Sequence, residues 1–139
     1  MKRTANAHWN GNLKEGKGAI STQSTTLNKT QYSFGTRFAE GVGTNPEELI
    51  GAAHAGCFTM ALSATLEQAG HIAGDLDTKA TVELNPATLT ITTITLDLTA
   101  SQIQGLSAEQ FQGYAKAAKE NCPVSKALAG VSITLNVNY

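Results

Sequence analysis

A long apolar segment between residues 45 and 70, with helix signals at both ends, is the clearest pattern in the sequence. Asn45 is a favourable N-cap, and Pro46 follows it at the first helical position, where a missing N–H group costs nothing. Glu48 stands at the third helical position and can return a hydrogen bond to the cap. Gly70 supplies a stop. The segment therefore predicts a helix of about six turns.

The predicted helix lacks a polar face. Between residues 49 and 66, His54 is the only basic side chain and no side chain is acidic. A surface helix has a polar side, so we expect this one to be central and buried nearly all round. Its many small and polar side chains make it a poor membrane span.

Residues 2–39 alternate in a way that predicts three antiparallel strands in a meander. The dipeptide Asn10-Gly11 is a strong turn signal, and the segment at 12–18 is polar and glycine-rich. Phe34 and Phe38 fall on one side of the third predicted strand, and Arg37 falls on the other.

After the long helix, the pattern predicts a β-hairpin, a second helix, a short third helix and a final strand. In the hairpin's second strand, at 89–99, the apolar positions change phase, which predicts a bulge near Thr92 and Thr93. Ser107 and Gln110 form a capping box for the second helix. The last strand begins at Val131. The whole pattern predicts an α+β fold in a single domain, residues 1–139.

Charge and composition narrow the class of protein. Ten basic and eleven acidic residues give a net charge of −1, which argues against nucleic acid or an anionic membrane as a partner. No apolar stretch follows a basic start, so we expect no signal peptide and a cytoplasmic location. In that compartment the two cysteines are not expected to form a static structural bridge.

One face of the predicted long helix carries reactive side chains. Glu47, His54 and Cys57 recur at helical spacing, so a carboxylate, an imidazole and a thiol share a stripe. Small residues beside them, among them Gly51 and Gly56, leave room for a ligand or another backbone. An inert, buried Cys57 acting as a small apolar residue is the competing interpretation.

Cys122 is expected at the start of the short helix opened by Pro123. There its sulfur would face free backbone N–H groups and the positive end of the helix dipole, which lower the pKa of a thiol. Lys119 and Lys126 are expected to act in the same direction.

Cys57 lies in mid-helix and would need a cation from elsewhere, for which Arg37 is the better of two arginines. Other chemistries remain open on the residues alone. His54, Cys57 and Cys122 could hold a metal, although a structural zinc site prefers four ligands. A Cys–His hydrolase is conceivable, because His54 is one turn from Cys57. The absence of Cys-x-x-Cys disfavours a thioredoxin-type pair.

Four segments resemble the OsmC/Ohr family of organic hydroperoxide reductases. Residues 44–58 (TNPEELIGAAHAGCF) and 121–125 (NCPVS) resemble its two cysteine motifs. Residues 7–11 (AHWNG) and 36–38 (TRF) resemble the OsmC branch rather than the Ohr branch. The resemblance implies an OsmC-like α+β fold and an intertwined homodimer, with a central helix and two active sites at the dimer interface.

By the same resemblance, Cys57 matches the peroxidatic cysteine and Cys122 the resolving cysteine. Arg37 matches the arginine placed against the reactive thiol, and Glu47 the carboxylate that holds it. Glu48, next to Glu47, and His54 are secondary candidates.

The function implied is thiol-dependent reduction of organic hydroperoxides without metal, flavin or haem. An external dithiol, such as a lipoylated protein, would act as the reductant. The alternative is a non-enzymatic stress or small-ligand-binding protein with the same fold.

Overall fold

The computed structural model describes residues 1–139 as an α+β fold with six strands and four helices. Their order is β1 (Ala5–Asn10), β2 (Lys17–Thr22), β3 (Thr30–Tyr32), α1 (Phe34–Phe38), α2 (Pro46–Gln68), β4 (Leu76–Asn85), β5 (Thr90–Ala100), α3 (Ala108–Asn121), α4 (Pro123–Ala127) and β6 (Ser132–Asn138). The chain divides into two compact units, Met1–Leu49 and Ile50–Tyr139. The single domain predicted from the sequence stays a prediction.

In the first unit, β1, β2 and β3 form the predicted antiparallel meander, in that order. The third strand is shorter than predicted, because the chain turns into α1 after Tyr32. Ser33 caps α1 by accepting a hydrogen bond from the Thr36 N–H, and the Thr36 hydroxyl accepts one from the Ser33 N–H. The prediction that Arg37 lies on a strand is therefore wrong. Phe34 and Phe38 are spaced as helix neighbours, with ring centroids 4.9 Å apart.

The first turn of α2 follows the predicted cap only in part. Asn45 Oδ1 accepts a hydrogen bond from the Glu48 N–H at 2.8 Å, as an N-cap should. The predicted return bond from the Glu48 side chain is absent, because that side chain faces solvent. Instead, Asn45 Nδ2 donates to the Thr36 carbonyl at 3.1 Å, which fixes the end of α1 to the start of α2. At the other end, Gly70 adopts a positive φ of 85°, as expected of a helix stop.

In the second unit, β4, β5 and β6 form a sheet in that order. The hairpin of β4 and β5 is antiparallel, and β6 pairs with β5 in parallel. Glu83 pairs with Thr93 and Leu84 with Ile91, so Thr92 is the extra residue and the predicted bulge is confirmed. Leu89 is excluded from β5, since its φ of 52° belongs to a turn.

One side of α2 forms the core of the second unit. Phe58, Leu62 and Leu66 are fully buried there together with residues of β5 and α3. The end of α3 near the sheet is anchored by Phe111, whose ring stacks on Tyr139 with centroids 3.9 Å apart. This stacking holds the first turn of α3 against the residue that follows β6.

The prediction that α2 is buried nearly all round is wrong for the single chain. Met60 is 76% exposed, and Ala53, Gly56 and Ala64 on the same side are also exposed. A sheet can cover only one side of a helix, whereas the apolar residues of α2 encircle it. By length and composition α2 could also cross a membrane, but core helices of soluble proteins meet the same criterion.

Candidate active site

The two cysteines meet where α2 passes the corner between α3 and α4. Their Sγ atoms lie 2.8 Å apart, and both thiols are free. Cys57, in the middle of α2, is partly buried, and Cys122 is completely buried. A disulfide bond is about 2.05 Å long, so only a small movement is needed to close one. The structure thus brings together two cysteines that are 65 residues apart in the sequence.

Cys122 forms the corner between α3 and α4, since it is the C-cap of the first helix and the N-cap of the second. Its N–H donates to the Ala118 carbonyl at 2.9 Å, which closes α3, and Pro123 takes the first position of α4. Cys122 is therefore an N-cap by position, as predicted. Its side chain makes no cap hydrogen bond, because the sulfur contacts Cys57 instead.

The surroundings of the two thiols shift their pKa values in opposite directions. Burial raises the pKa of Cys122, but the contact with Cys57 and the nearby polar groups of Ser125 and Val124 outweigh burial and lower it. Burial and the contact with Cys122 raise the pKa of Cys57, and the Val124 N–H opposes this only in part. The groups around the two thiols thus favour a thiolate on Cys122 over one on Cys57. Lys119 and Lys126, predicted to help, are not among the causes of the shift at Cys122.

His54 is fully buried, and its partner is Ser125 rather than Cys57. The His54 Nε2 and Ser125 Oγ atoms lie 2.8 Å apart, while Nδ1 is buried without a partner. Burial also lowers the pKa of His54, so that the ring is neutral at pH 7. The sequence predicts no role for Ser125, although residues 121–125, which resemble the second cysteine motif, include it.

Arg37 and Glu47 form an ion pair within the first unit, between α1 and the first turn of α2. Arg37 Nε and Nη2 both donate to Glu47 Oε1, at 3.1 and 2.8 Å. The Arg37 side chain is 39% exposed and that of Glu47 12%. Arg37 Nη1 makes no hydrogen bond in the protein, and Glu47 Oε2 is buried without a partner. The pair thus has a free donor on the arginine and an unsatisfied oxygen on the glutamate.

The other candidate arrangements are not formed in this chain. No group of three or more His, Cys, Asp or Glu residues is close enough to hold a metal ion. His54 bonds to a serine hydroxyl, so a Cys57–His54 hydrolase pair is not formed. Glu48 is exposed and uses only its backbone at the helix start.

Together these features define an α+β protein whose candidate active site is a pair of adjacent thiols. A family model described as OsmC-like protein matches residues 39–136. The chain is 47% identical over 138 residues to Peroxiredoxin OsmC of Escherichia coli strain K12, covering 98% of this chain and 95% of that protein. The chain belongs to the OsmC-like family.

Further relatives agree with this assignment. An organic hydroperoxide resistance protein-like protein of Staphylococcus aureus strain USA300 is 33% identical over 104 residues, which cover 72% of this chain and 73% of that protein. A crystal structure of an organic hydroperoxide resistance protein OsmC from Legionella pneumophila is 26% identical, with a TM-score of 0.71 over 98% of this chain and 97% of that one. The crystal structure of the organic hydroperoxide resistance protein OhrB of Bacillus subtilis is 25% identical in sequence. It has a TM-score of 0.70, and the match covers 97% of this chain and 98% of that one. The predicted OsmC-like α+β fold is confirmed, whereas the predicted dimer stays a prediction.

Proposed function

We propose that the protein is a cysteine-based peroxidase that reduces organic hydroperoxides to alcohols in the defence against oxidative stress. The observation that carries this proposal is the 2.8 Å contact between the Sγ atoms of Cys57 and Cys122. Two thiols this close can store the two electrons that a hydroperoxide accepts and then be regenerated as a pair. The names of the Escherichia coli and Staphylococcus aureus relatives support the same chemistry.

In the first step, the Cys57 thiolate attacks the distal oxygen of the hydroperoxide. The O–O bond breaks, the alkoxide takes a proton and leaves as the alcohol, and Cys57 becomes a sulfenic acid. Cys57 suits this role because its side chain is partly exposed, whereas that of Cys122 is completely buried.

In the second step, Cys122 attacks the sulfur of the sulfenic acid. The S–O bond breaks, a disulfide forms, and the hydroxide leaves as water with the proton that Cys122 gave up. An external dithiol then reduces the disulfide by thiol–disulfide exchange. We expect that dithiol to be lipoyl-like, as the family resemblance implies, and the cycle to need no metal, flavin or haem.

Activation of Cys57 requires a positive charge from outside the second unit. The middle of a helix gains nothing from the helix dipole, and burial raises the pKa of this thiol. We assign the charge to Arg37, whose free Nη1 can donate to a thiolate while Glu47 holds Nε and Nη2. The same guanidinium would stabilise the negative charge that develops on the leaving oxygen.

A cleft in the first unit fits the apolar part of such a substrate. It has a volume of about 320 Å³ and is lined mainly by aromatic side chains, with Arg37 as its charged member. The lining residues are Trp9, Leu13, Tyr32, Ser33, Phe34, Arg37 and Phe38. Apolar walls with one cation favour a hydroperoxide that carries a hydrocarbon group over hydrogen peroxide.

We further propose that the working form is a homodimer. The exposed side of α2, made of Ala53, Gly56, Met60 and Ala64, consists of small apolar residues around one large one. Small residues let a second helix approach closely, and contiguous exposed apolar surface is typical of interfaces. In the family that the chain resembles, the active sites lie at the dimer interface. We expect the dimer to act in the cytoplasm.

The test is a peroxidase assay with cumene hydroperoxide, tert-butyl hydroperoxide and hydrogen peroxide, using dithiothreitol or dihydrolipoamide as reductant. We expect turnover of the organic substrates, and its loss in Cys57→Ser. Turnover in that variant equal to that of the parent protein would remove the central claim. A ligand-binding protein without turnover would instead keep both free thiols after exposure to peroxide.

A further inference from the structure

We propose that Trp9 determines the substrate specificity of the peroxidase: its indole ring forms the wall of the cleft against which a single aromatic ring of the hydroperoxide packs. The preferred substrate is then a compact aryl hydroperoxide rather than a branched alkyl or a long-chain one. The inference rests on the proposed function, because it names the substrate class of the same site.

Trp9 and Tyr32 lie on either side of the middle strand of the first sheet. In the register of that sheet, Trp9 pairs with Gly18 and Gly18 pairs with Tyr32. The centroids of the two aromatic rings are 5.4 Å apart, and their planes are inclined at 50°. Trp9 is partly buried, whereas the other residues of β1 are exposed. The two rings therefore form one aromatic surface over Gly18.

Gly18 provides the space in which these rings lie. A Cβ atom at this position would be 2.7 Å from Trp9 Cε3 and would also clash with the Tyr32 ring. The φ angle of Gly18 is not positive, so its backbone conformation does not require glycine. The requirement comes from the rings, because any larger residue would push them outwards.

A hydrogen bond fixes the orientation of the indole ring. Trp9 Nε1 donates to the Gly11 carbonyl at 2.9 Å, so the only polar atom of the side chain already has a partner. What the ring offers to a ligand is its apolar surface. Because the ring is already held in place, a ligand that packs on it loses little free energy to ordering.

Aromatic rings over a strand glycine could serve the sheet alone, since they cover a position that has no side chain of its own. The cleft favours a further role. Trp9 and Tyr32 line it together with Leu13 and Phe38, whose side chains are 67% and 37% exposed. Large apolar side chains that stay open to solvent around one concave site are typical of a ligand pocket.

The size of the cleft favours a group no larger than one ring. Its volume of about 320 Å³ is near the lower end of small-molecule sites, which begin at about 300 Å³. A long hydrocarbon chain would extend beyond it. Arg37 lines the same cleft, so a compact substrate that packs on Trp9 keeps its peroxide group in the cleft that holds the guanidinium.

The chemistry of the wall favours an aryl group over an alkyl group. Aromatic rings attract one another in offset or tilted arrangements by more than the area they bury. The cleft already contains two such tilted pairs, Trp9 with Tyr32 and Phe34 with Phe38. A substrate ring gains this additional attraction, whereas an alkyl group gains only from burial of its area.

Binding to this wall can be measured without turnover, because Trp9 is the only tryptophan of the chain. We expect 2-phenyl-2-propanol, the alcohol formed from cumene hydroperoxide, to change the fluorescence of Trp9 saturably, and tert-butanol to leave it unchanged. No change with the aryl alcohol, or an equal change with both alcohols, would overturn the inference. Fluorescence that responds to dilution of the protein but not to the alcohol would also overturn it, since a second copy would then cover the cleft.

Gly18→Ala is the variant for the same titration, because it keeps Trp9 as the reporter. The added methyl group should displace the two rings and weaken binding of 2-phenyl-2-propanol about fivefold. Gly113→Ala is the matched control and should leave binding unchanged, because Gly113 lies on α3 and its Cβ would meet no atom within 4 Å. Unchanged affinity in Gly18→Ala would contradict the inference. No peroxide enters the titration, so its outcome is separate from that of the peroxidase assay.

The kinetic test compares two organic substrates in the same protein. Trp9→Leu should lower kcat/KM for cumene hydroperoxide about fivefold more than kcat/KM for tert-butyl hydroperoxide. Trp9→Phe, which keeps an aromatic ring, should restore most of the preference for the aryl substrate. If Trp9 served only the stability of the sheet, Trp9→Leu would slow both reactions by the same factor, and that result would refute a role in specificity.

Discussion

Replacing Arg37 with alanine tests the electrostatic part of the proposed mechanism most directly. Cys57 gains no help from the helix dipole, and burial raises the pKa of its thiol. Arg37 is held by Glu47 and keeps Nη1 free. If this guanidinium activates Cys57, removing it must raise the pKa of Cys57 and slow peroxide attack at pH 7.

The size of the effect follows from charge and exposure. Two unit charges about 4 Å apart interact by about 4 kcal/mol near a protein surface and about 1 kcal/mol in bulk water. Because the Arg37 side chain is 39% exposed, solvent weakens its interaction, and we take about 2 kcal/mol. That corresponds to roughly 1.5 pKa units and a rate loss of about thirtyfold at pH 7.

Arg37→Lys should recover little of this loss. The arginine donates twice to Glu47 Oε1 and keeps Nη1 free for the Cys57 thiolate. A lysine ammonium is a point charge that cannot contact the carboxylate and the thiolate in the same way. His54→Ala is the comparison, since His54 contacts Ser125 and should leave the Cys57 titration almost unchanged.

The assay is alkylation of Cys57 against pH in a Cys122→Ser background, where it is the only thiol, together with the rate of cumene hydroperoxide reduction by the same proteins in a single turnover. If His54→Ala moves the titration while Arg37→Ala leaves it in place, histidine activates the thiol and the assignment of Arg37 is wrong.

Three further predictions concern the resolving cysteine, the exposed helix side and the buried histidine. Cys122→Ser should undergo one oxidation and then stall, with sulfenic or sulfinic acid on Cys57 by mass spectrometry; an unmodified Cys57 would count against the assigned order. Met60→Glu should shift the protein from dimer towards monomer in sedimentation at micromolar concentration, since a charge replaces the largest exposed apolar side chain of that side of α2; a parent protein found only at 14.5 kDa would refute the dimer. The pKa of His54 is lower in the folded chain than its usual 6.5, so the unfolded chain binds more protons and the free energy of unfolding should fall as the pH drops below about 6.5. His54→Gln should lose that part of the pH dependence in urea denaturation at pH 7 and pH 5, and an identical decrease in both proteins would contradict it.

Features set by neighbouring residues could be predicted from the sequence. Asn45 with Pro46 and the capping box of Ser107 with Gln110 are local signals, and both helices begin where these signals place them. The bulge at Thr92 was visible as a change of phase. The short helix α1 was missed because five residues with apolar Phe34 and Phe38 also fit an alternating strand.

Features that depend on distant residues could not be predicted in the same way. The parallel pairing of β6 with β5 joins segments separated by α3 and α4, and no local pattern encodes it. The contact of His54 with Ser125 spans 71 residues, so the sequence presented only an isolated histidine beside a cysteine. The sequence shows that α2 is apolar on all sides, but it does not show which side of the helix a single chain leaves exposed.

The long separation of the two cysteines links the catalytic cycle to the stability of the chain. A disulfide between Cys57 and Cys122 would close a loop of about 65 residues. Loop closure of this length removes enough freedom from the unfolded chain to stabilise the folded one by about 4 kcal/mol, less any strain in the native bond. In each turnover the chain would alternate between a disulfide form that resists unfolding and a reduced form that unfolds more easily. The reduced form, which reacts with peroxide, is therefore also the less stable one.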